Sequence, residues 1–163
     1  RTARTAVPMD VELEIQRSTE LETPADDRFQ EWVEAALSGK PHDLSLAIRL
    51  VDEQEGRQLN LQYREKDYAT NVLSFQADLP EGLPAELRSS LLGDLVICAP
   101  VVVREAKEQH RPAMDHWAHL TIHGVLHLLG YNHDRDDEAV EMETLETEIL
   151  AGLGVVDPYR DLG

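Results

Sequence analysis

The chain has 163 residues, 42% of them hydrophobic, and a formal net charge of −17 from 32 acidic and 15 basic side chains. That length suits one domain with a real core, no stretch reaches the ~20 apolar residues of a membrane span, and the N-terminus lacks the apolar run of a signal peptide. The charge argues against a sequence-blind polyanion binder, though not against a local basic cleft, and the single Cys98 excludes an intramolecular disulfide and suits a cytoplasmic location.

Residues 1–8 are expected to be extended or disordered. Residues 9–18 alternate apolar and polar side chains, the pattern of a half-buried strand. Thr23-Pro24-Ala25-Asp26 reads as a helix start, with a capping hydroxyl and a proline in the first turn. That helix should bury Phe29, Val33 and Leu37 and stop at Gly39. Residues 44–51 are a second alternating strand. Residues 53–65 predict a short helix whose face includes Leu59 and Tyr63, and residues 72–75 a third strand. A polar, proline-containing loop follows over 78–90. Residues 91–98 are nearly all apolar, which predicts a central strand. Pro100 opens a helix to about Gln109. Residues 113–129 form a helix that is apolar almost all round and therefore buried. A last helix spans roughly 136–151 and ends at Gly152, its many acids reading as a solvated face. Strands lead and helices dominate the second half. The fold class is α+β, a single mixed sheet of about four strands packed against about five helices, in one domain over the whole chain.

Four of the seven histidines fall within 119–133. His123 and His127 are four apart, so a helix places both imidazoles on one face. Gly130 can take a left-handed conformation and reverse the chain, which would bring His133 back over the pair. Three neutral imidazoles with an open fourth position are the ligand set of a catalytic zinc site. One zinc per chain is expected from ligand type, although other divalent transition metals such as nickel, copper and iron also suit imidazole. A thiolate-rich structural site is excluded by the lone cysteine. The same spacing occurs in metzincin peptidases, whose first histidine is followed by a general-base glutamate. Here that position is Gly124, which cannot abstract a proton. Met142 lies downstream but fits an apolar position of the last helix better than a turn beneath the metal.

Three motifs in order resemble one family. Residues 59–75, LNLQYREKDYATNVLSF, are similar to the YbeY signature LN-x-x-YR-x-KD-x-x-TNVLSF. Residues 91–97 resemble its LLGDIVI strand, and residues 123–133 its HG-x-LHLLGYDH motif. The departures are Ala69 and Gln76 where proline is usual, and Asn132 where aspartate is usual. The resemblance extends over about 10–150 and implies a zincin-like, histidine-bearing helix. It also implies a metal-dependent endoribonuclease that prefers single strands and acts in 16S rRNA 3′-end maturation and ribosome quality control. A metal-activated water would attack the phosphodiester. The implied partners are single-stranded rRNA, the small ribosomal subunit and its proteins, and a ribosome-associated GTPase, with no membrane.

Within that resemblance His123, His127 and His133 are the metal ligands, and Arg64 with His123 the catalytic residues. A guanidinium offers a planar, bidentate fork to phosphate, whereas the bland alternative for Arg64 is a surface or salt-bridging arginine. Lys66, His119 and Asn71 are candidate substrate contacts. Lys66 can equally be a solvated lysine, His119 a support for the ligands or a satisfied buried histidine, and Asn71, with Thr70 and Ser74, a shaper of the turn before the strand. Asp134 can orient a ligand imidazole or simply start the acidic helix. Asp94 in the central strand calls for a partner. His42, His110 and His116 carry no separate signal. The general base stays open between Asp134, His119 and none. Two other readings compete: a metal-dependent hydrolase of a non-RNA substrate such as a peptide, and a non-catalytic ribosome assembly factor whose metal stabilises the fold.

Overall fold

The computed structural model describes residues 11–37, 44–76, 91–131 and 136–155. Strands β1 (Val11–Ser18), β2 (Leu44–Val51), β3 (Val72–Gln76) and β4 (Leu91–Cys98) form one sheet in the order β1-β2-β4-β3. β1 and β2 are parallel, as are β2 and β4, while β3 runs antiparallel to β4. Five helices accompany them among the described residues: α1 (Asp26–Ala36), α2 (Glu53–Arg64), α3 (Ala99–Glu108), α4 (Ala113–Leu128) and α5 (Asp136–Gly152). This is the α+β architecture expected, and β4 lies between two strands, as its apolar run required.

The period-2 alternation of the strands sorts the helices into layers. Leu46, Ile48 and Leu50 of β2 and Leu95 and Ile97 of β4 face one side. They pack there with Phe29 and Val33 of α1, Ile122 and Leu126 of α4, and Leu150 of α5. Val51, Leu73, Val96 and Cys98 face the other side, where Leu59 of α2 covers them. The histidine helix and α2 therefore lie on opposite faces of the sheet. β3 is an edge strand of the described sheet, and the two faces meet along it.

Three details differ from the sequence reading. Thr23 is not the cap of α1; Ala25 occupies that position without a side-chain bond. Arg17 takes the hydroxyl instead, donating from Nε to Thr23 Oγ1 (2.9 Å) and from Nη1 to Asp26 Oδ1 (2.7 Å). The buried face of α2 is Gly56 and Asn60, whereas Leu59 is half-buried and Tyr63 is 53% exposed. Gly56 comes close enough to β4 that a Cβ there would lie 3.3 Å from Cys98 Sγ. Asn60 donates to the Tyr68 carbonyl at 2.7 Å, so a polar residue is the one that turns inward. Asp94, which seemed to need a partner, is exposed and solvated. Met142 is a core residue of α5. Gly39, His42 and the loop over 78–90 lie outside the described residues.

Gly124 explains how closely α4 approaches the sheet. A Cβ on it would sit 2.7 Å from Leu95 Cδ2 and 3.3 Å from Val72 Cγ2, and Leu95 is fully buried. The position that carries a glutamate in metzincins therefore points into the sheet here, where even a Cβ would force the buried Leu95 to shift. Overpacking a core costs about 1–3 kcal/mol, against the ~1 kcal/mol by which alanine outranks glycine in a helix. Gly124→Ala is expected to lower the melting temperature despite its better helix propensity. A rise on thermal denaturation would show that the contact is slack.

Candidate metal centre

Helix α4 presents its histidines as the spacing predicts. His123 Nε2 and His127 Nε2 face each other at 3.0 Å. The helix then ends in a Schellman arrangement. Gly130 has φ of +105°, its N–H donates to the His127 carbonyl at 3.0 Å, and the Tyr131 N–H donates to the Leu126 carbonyl at 3.1 Å. Gly130 thus ends the helix and turns the chain as expected. His133, Asn132 and Asp134 follow immediately and lie outside the described residues.

A cleft of about 700 Å³ opens at this point. It is lined by residues 70–76, along β3, by His123, His127, Gly130 and Tyr131 from the end of the histidine helix, and by Arg64. β3 is held beside α4 by side-chain bonds. Ser74 Oγ donates to the Gly124 carbonyl at 3.2 Å, and Gln76 Nε2 to the Leu128 carbonyl at 3.3 Å.

Arg64 reaches the same cleft from the opposite face of the sheet. It is the last residue of α2, and the helix closes just beyond it on Glu65, whose φ is +59°. Its guanidinium carbon lies 4.9 Å from the Phe75 ring centroid, a cation–π distance. Nη2 donates to the Ser74 carbonyl at 2.9 Å and Nη1 to the Tyr63 carbonyl at 3.1 Å. No carboxylate pairs with it among these contacts. A planar cation is thus braced against the edge strand, with further N–H groups left for an anion.

The other sequence candidates are placed differently. Lys66 is exposed and does not line the cleft. Asn71 borders the cleft, but both ends of its amide are committed. Nδ2 donates to Glu105 Oε1 at 3.0 Å, and Oδ1 accepts the Val72 N–H at 2.7 Å. Glu105 also bonds His116 Nε2 at 2.9 Å. That bond, and then the one from Asn71, hold the Glu105 carboxyl below the usual carboxylate range against the opposing effect of burial. Asn71, Glu105 and His116 therefore tie the start of β3 to α3 and α4. His119 is only 12% exposed and lies beneath the cleft, its Nε2 3.4 Å from Glu146 Oε2. Burial pushes its pKa down, more than the neighbouring carboxylate raises it.

Glu146 is the functional-site residue that sequence reasoning missed. It is fully buried, and its Oε2 lies 2.6 Å from His123 Nδ1. It sits in α5, whose acids read as a solvated face. A signal was available: Met142, Glu146 and Leu150 are the buried residues of that helix and follow at intervals of four. An acid within an apolar stripe needs a polar partner.

Two groupings here suit a cation. His119, His123 and Glu146 each offer one ligand atom, all within 4.8 Å of one another. His123 Nε2 and His127 Nε2 form the other, open to the cleft. Two zinc–nitrogen bonds of about 2.0–2.1 Å at a tetrahedral angle separate their nitrogens by about 3.3 Å. The observed 3.0 Å is within a few tenths of that, so the residues present fit a zinc-type ion at the cleft.

A family model described as Endoribonuclease YbeY matches residues 12–154. A Pseudomonas entomophila protein named Endoribonuclease YbeY is 60% identical over 151 residues, 93% of this chain and 94% of its own. A Stenotrophomonas maltophilia protein of the same name is 62% identical over 136 residues, covering 83% of this chain and 84% of its own. Among solved structures, the solution structure of TM1509 from Thermotoga maritima aligns with a TM-score of 0.55. It is 22% identical and covers 91% of this chain and 99% of that one, which speaks to the fold alone. No helix among the described residues is long and apolar enough to cross a membrane.

Proposed function

The chain belongs to the Endoribonuclease YbeY family, and from that premise we propose that it is a metal-dependent endoribonuclease that cleaves single-stranded rRNA. The observation that carries this reading is the meeting, in one cleft, of two converging imidazole nitrogens and a guanidinium braced by Phe75 and Ser74. His123 and His127, with His133 as the third ligand, would hold one zinc ion per chain or a related divalent transition metal. A bound ion of this kind lowers the pKa of water and polarises a phosphoryl oxygen.

The chain's own residues supply the rest. Arg64 holds a non-bridging phosphate oxygen through the N–H groups its backbone contacts leave over, and stabilises the negative charge that builds on the non-bridging oxygens. Its brace keeps reorganisation small. The cleft, about 700 Å³, has room for a phosphodiester and its neighbouring sugars. An unpaired strand can feed its backbone into such a space, and its bases can stack on an aromatic rim. Phe75 lines the cleft, and the exposed Tyr63 meets its ring in edge contact at 5.2 Å. Lys66, exposed nearby in sequence, would add phosphate attraction. His119 serves the ligands from below, and Asn71 shapes the cleft edge. With net charge −17 the surface discourages indiscriminate RNA binding, which suits delivery by the small ribosomal subunit, its proteins or an associated GTPase. We place the activity in the cytoplasm, in 16S rRNA 3′-end maturation and ribosome quality control.

A peptidase reading is disfavoured because Gly124, at the general-base position, is packed against Leu95. The test offers the zinc-loaded chain a single-stranded rRNA-like fragment, the same fragment annealed to its complement, and an unfolded polypeptide. Cleavage of the first, much slower cleavage of the second and none of the third is expected. Proteolysis without RNA cleavage would reverse the reading.

A further inference from the structure

A buried acid lies beside the proposed metal site without lining the cleft. Glu146 is fully buried in α5, 23 residues beyond the ligand it touches. A lone carboxylate in such a place is costly unless it is hydrogen-bonded. We propose that Glu146 is a positioning residue: its carboxylate fixes His123 with the proton on Nδ1, so that the Nε2 lone pair points into the cleft toward the metal. The proposal rests on the metal-site reading above and deepens it.

Three observations carry it. A carboxylate oxygen stands 2.6 Å from His123 Nδ1, and an acceptor at that place holds the ring proton on that nitrogen. Nε2 then carries the lone pair, and it is Nε2 that converges on His127. The same oxygen lies 3.4 Å from His119 Nε2, so a second imidazole from the previous turn of α4 steadies the carboxylate. Finally, the distances separate support from ligation. Two atoms bound to one tetrahedral zinc stand about 3.3 Å apart. The 2.6 Å between Glu146 Oε2 and His123 Nδ1 is closer to a short hydrogen bond than to that separation. An ion held by His119, His123 and Glu146 would also sit away from the cleft, beside a carboxylate with no exposure.

The arrangement gives α5 a task beyond packing. Met142 and Leu150 seal the helix into the core on either side of Glu146, so the carboxylate reaches His123 from a fixed direction. Carboxylate partners of metal-bound histidines orient the ring and raise its basicity.

The experiment compares the intact chain with Glu146→Gln and Glu146→Ala, measuring zinc affinity by chelator competition, the visible spectrum of the cobalt(II)-loaded forms and stability by urea unfolding. Nitrogen NMR of the metal-free chain reads the His123 tautomer directly. The expected result is protonated Nδ1 in the intact chain and a 10–100-fold weaker zinc affinity in Glu146→Ala. Glu146→Gln keeps an acceptor and should recover most of that loss, with one cobalt(II) in an unchanged coordination. If the alanine variant is too unstable to purify, the glutamine variant and the tautomer still decide. Unchanged zinc affinity with lowered stability would make Glu146 merely structural. A cobalt(II) spectrum in Glu146→Gln altered as in a ligand substitution would make it a ligand. Either overturns the proposal. Failure of the intact chain to bind zinc at all would instead overturn the metal-site reading itself, and this inference with it.

Discussion

Arg64→Ala is expected to reduce RNA cleavage by about 100–1,000-fold, the usual cost of removing one preorganised donor to a developing charge, while zinc content stays unchanged. The separation follows from the architecture. Arg64 comes from α2, on the face of the sheet opposite the histidine helix, and touches the site only around the edge of β3. Its removal exposes part of Phe75 and deletes bonds to two carbonyls. An exposed cation–π contact is worth about 0.5–1 kcal/mol, too little to unfold the domain. Arg64→Lys should fall between: the charge remains, but the planar fork and the stacking on Phe75 are lost. Steady-state cleavage kinetics with zinc analysis on the same preparations check both. Loss of zinc in Arg64→Ala would mean that the arginine holds the site together rather than acting on substrate.

His127→Ala should have the larger effect and a different signature. It removes one of the two nitrogens that converge at 3.0 Å, so metal and cleavage should disappear together. Metal ions supply several kcal/mol of transition-state stabilisation, and each ~1.4 kcal/mol is tenfold in rate. A loss of ~1,000-fold or more is expected. His127 is only partly buried, so the variant should unfold near the temperature of the metal-free parent. The same substitution separates the two cation groupings. Metal retained by His127→Ala but lost by His119→Ala would place the ion in the buried cluster with Glu146.

What the sequence revealed, and what it hid, follows from the range of the forces involved. The strands and helices were legible because alternation and helical periodicity are local and report burial directly. β4 lies inside the sheet because nothing polar interrupts Leu95–Cys98. Gly130 was legible because a positive φ next to a helix end selects glycine. The Thr23 cap failed because an arginine six residues away in sequence captures the hydroxyl, a contact that no local rule contains. On α2 the sequence marked Leu59, which packs on the sheet, but not Gly56 and Asn60, which are buried by close approach and by a backbone bond rather than by hydrophobicity. At the site, the pair His123 and His127 was legible because both lie on one helix. Arg64 was legible only through the motif, since the sheet edge that brings it round is a tertiary feature. Glu146 was hidden because acids dominate α5, and only the interval of four between Met142, Glu146 and Leu150 marks it as different.

On the proposed reading, an ion held at His123 and His127 makes the cleft a ribonuclease site. The direct measurement counts zinc per chain and follows cleavage of one single-stranded RNA fragment as the metal is stripped with a chelator and titrated back. About one zinc per chain is expected, with cleavage that vanishes on stripping and a recovery that saturates at one equivalent. Cleavage that survives complete removal of metal would contradict that reading.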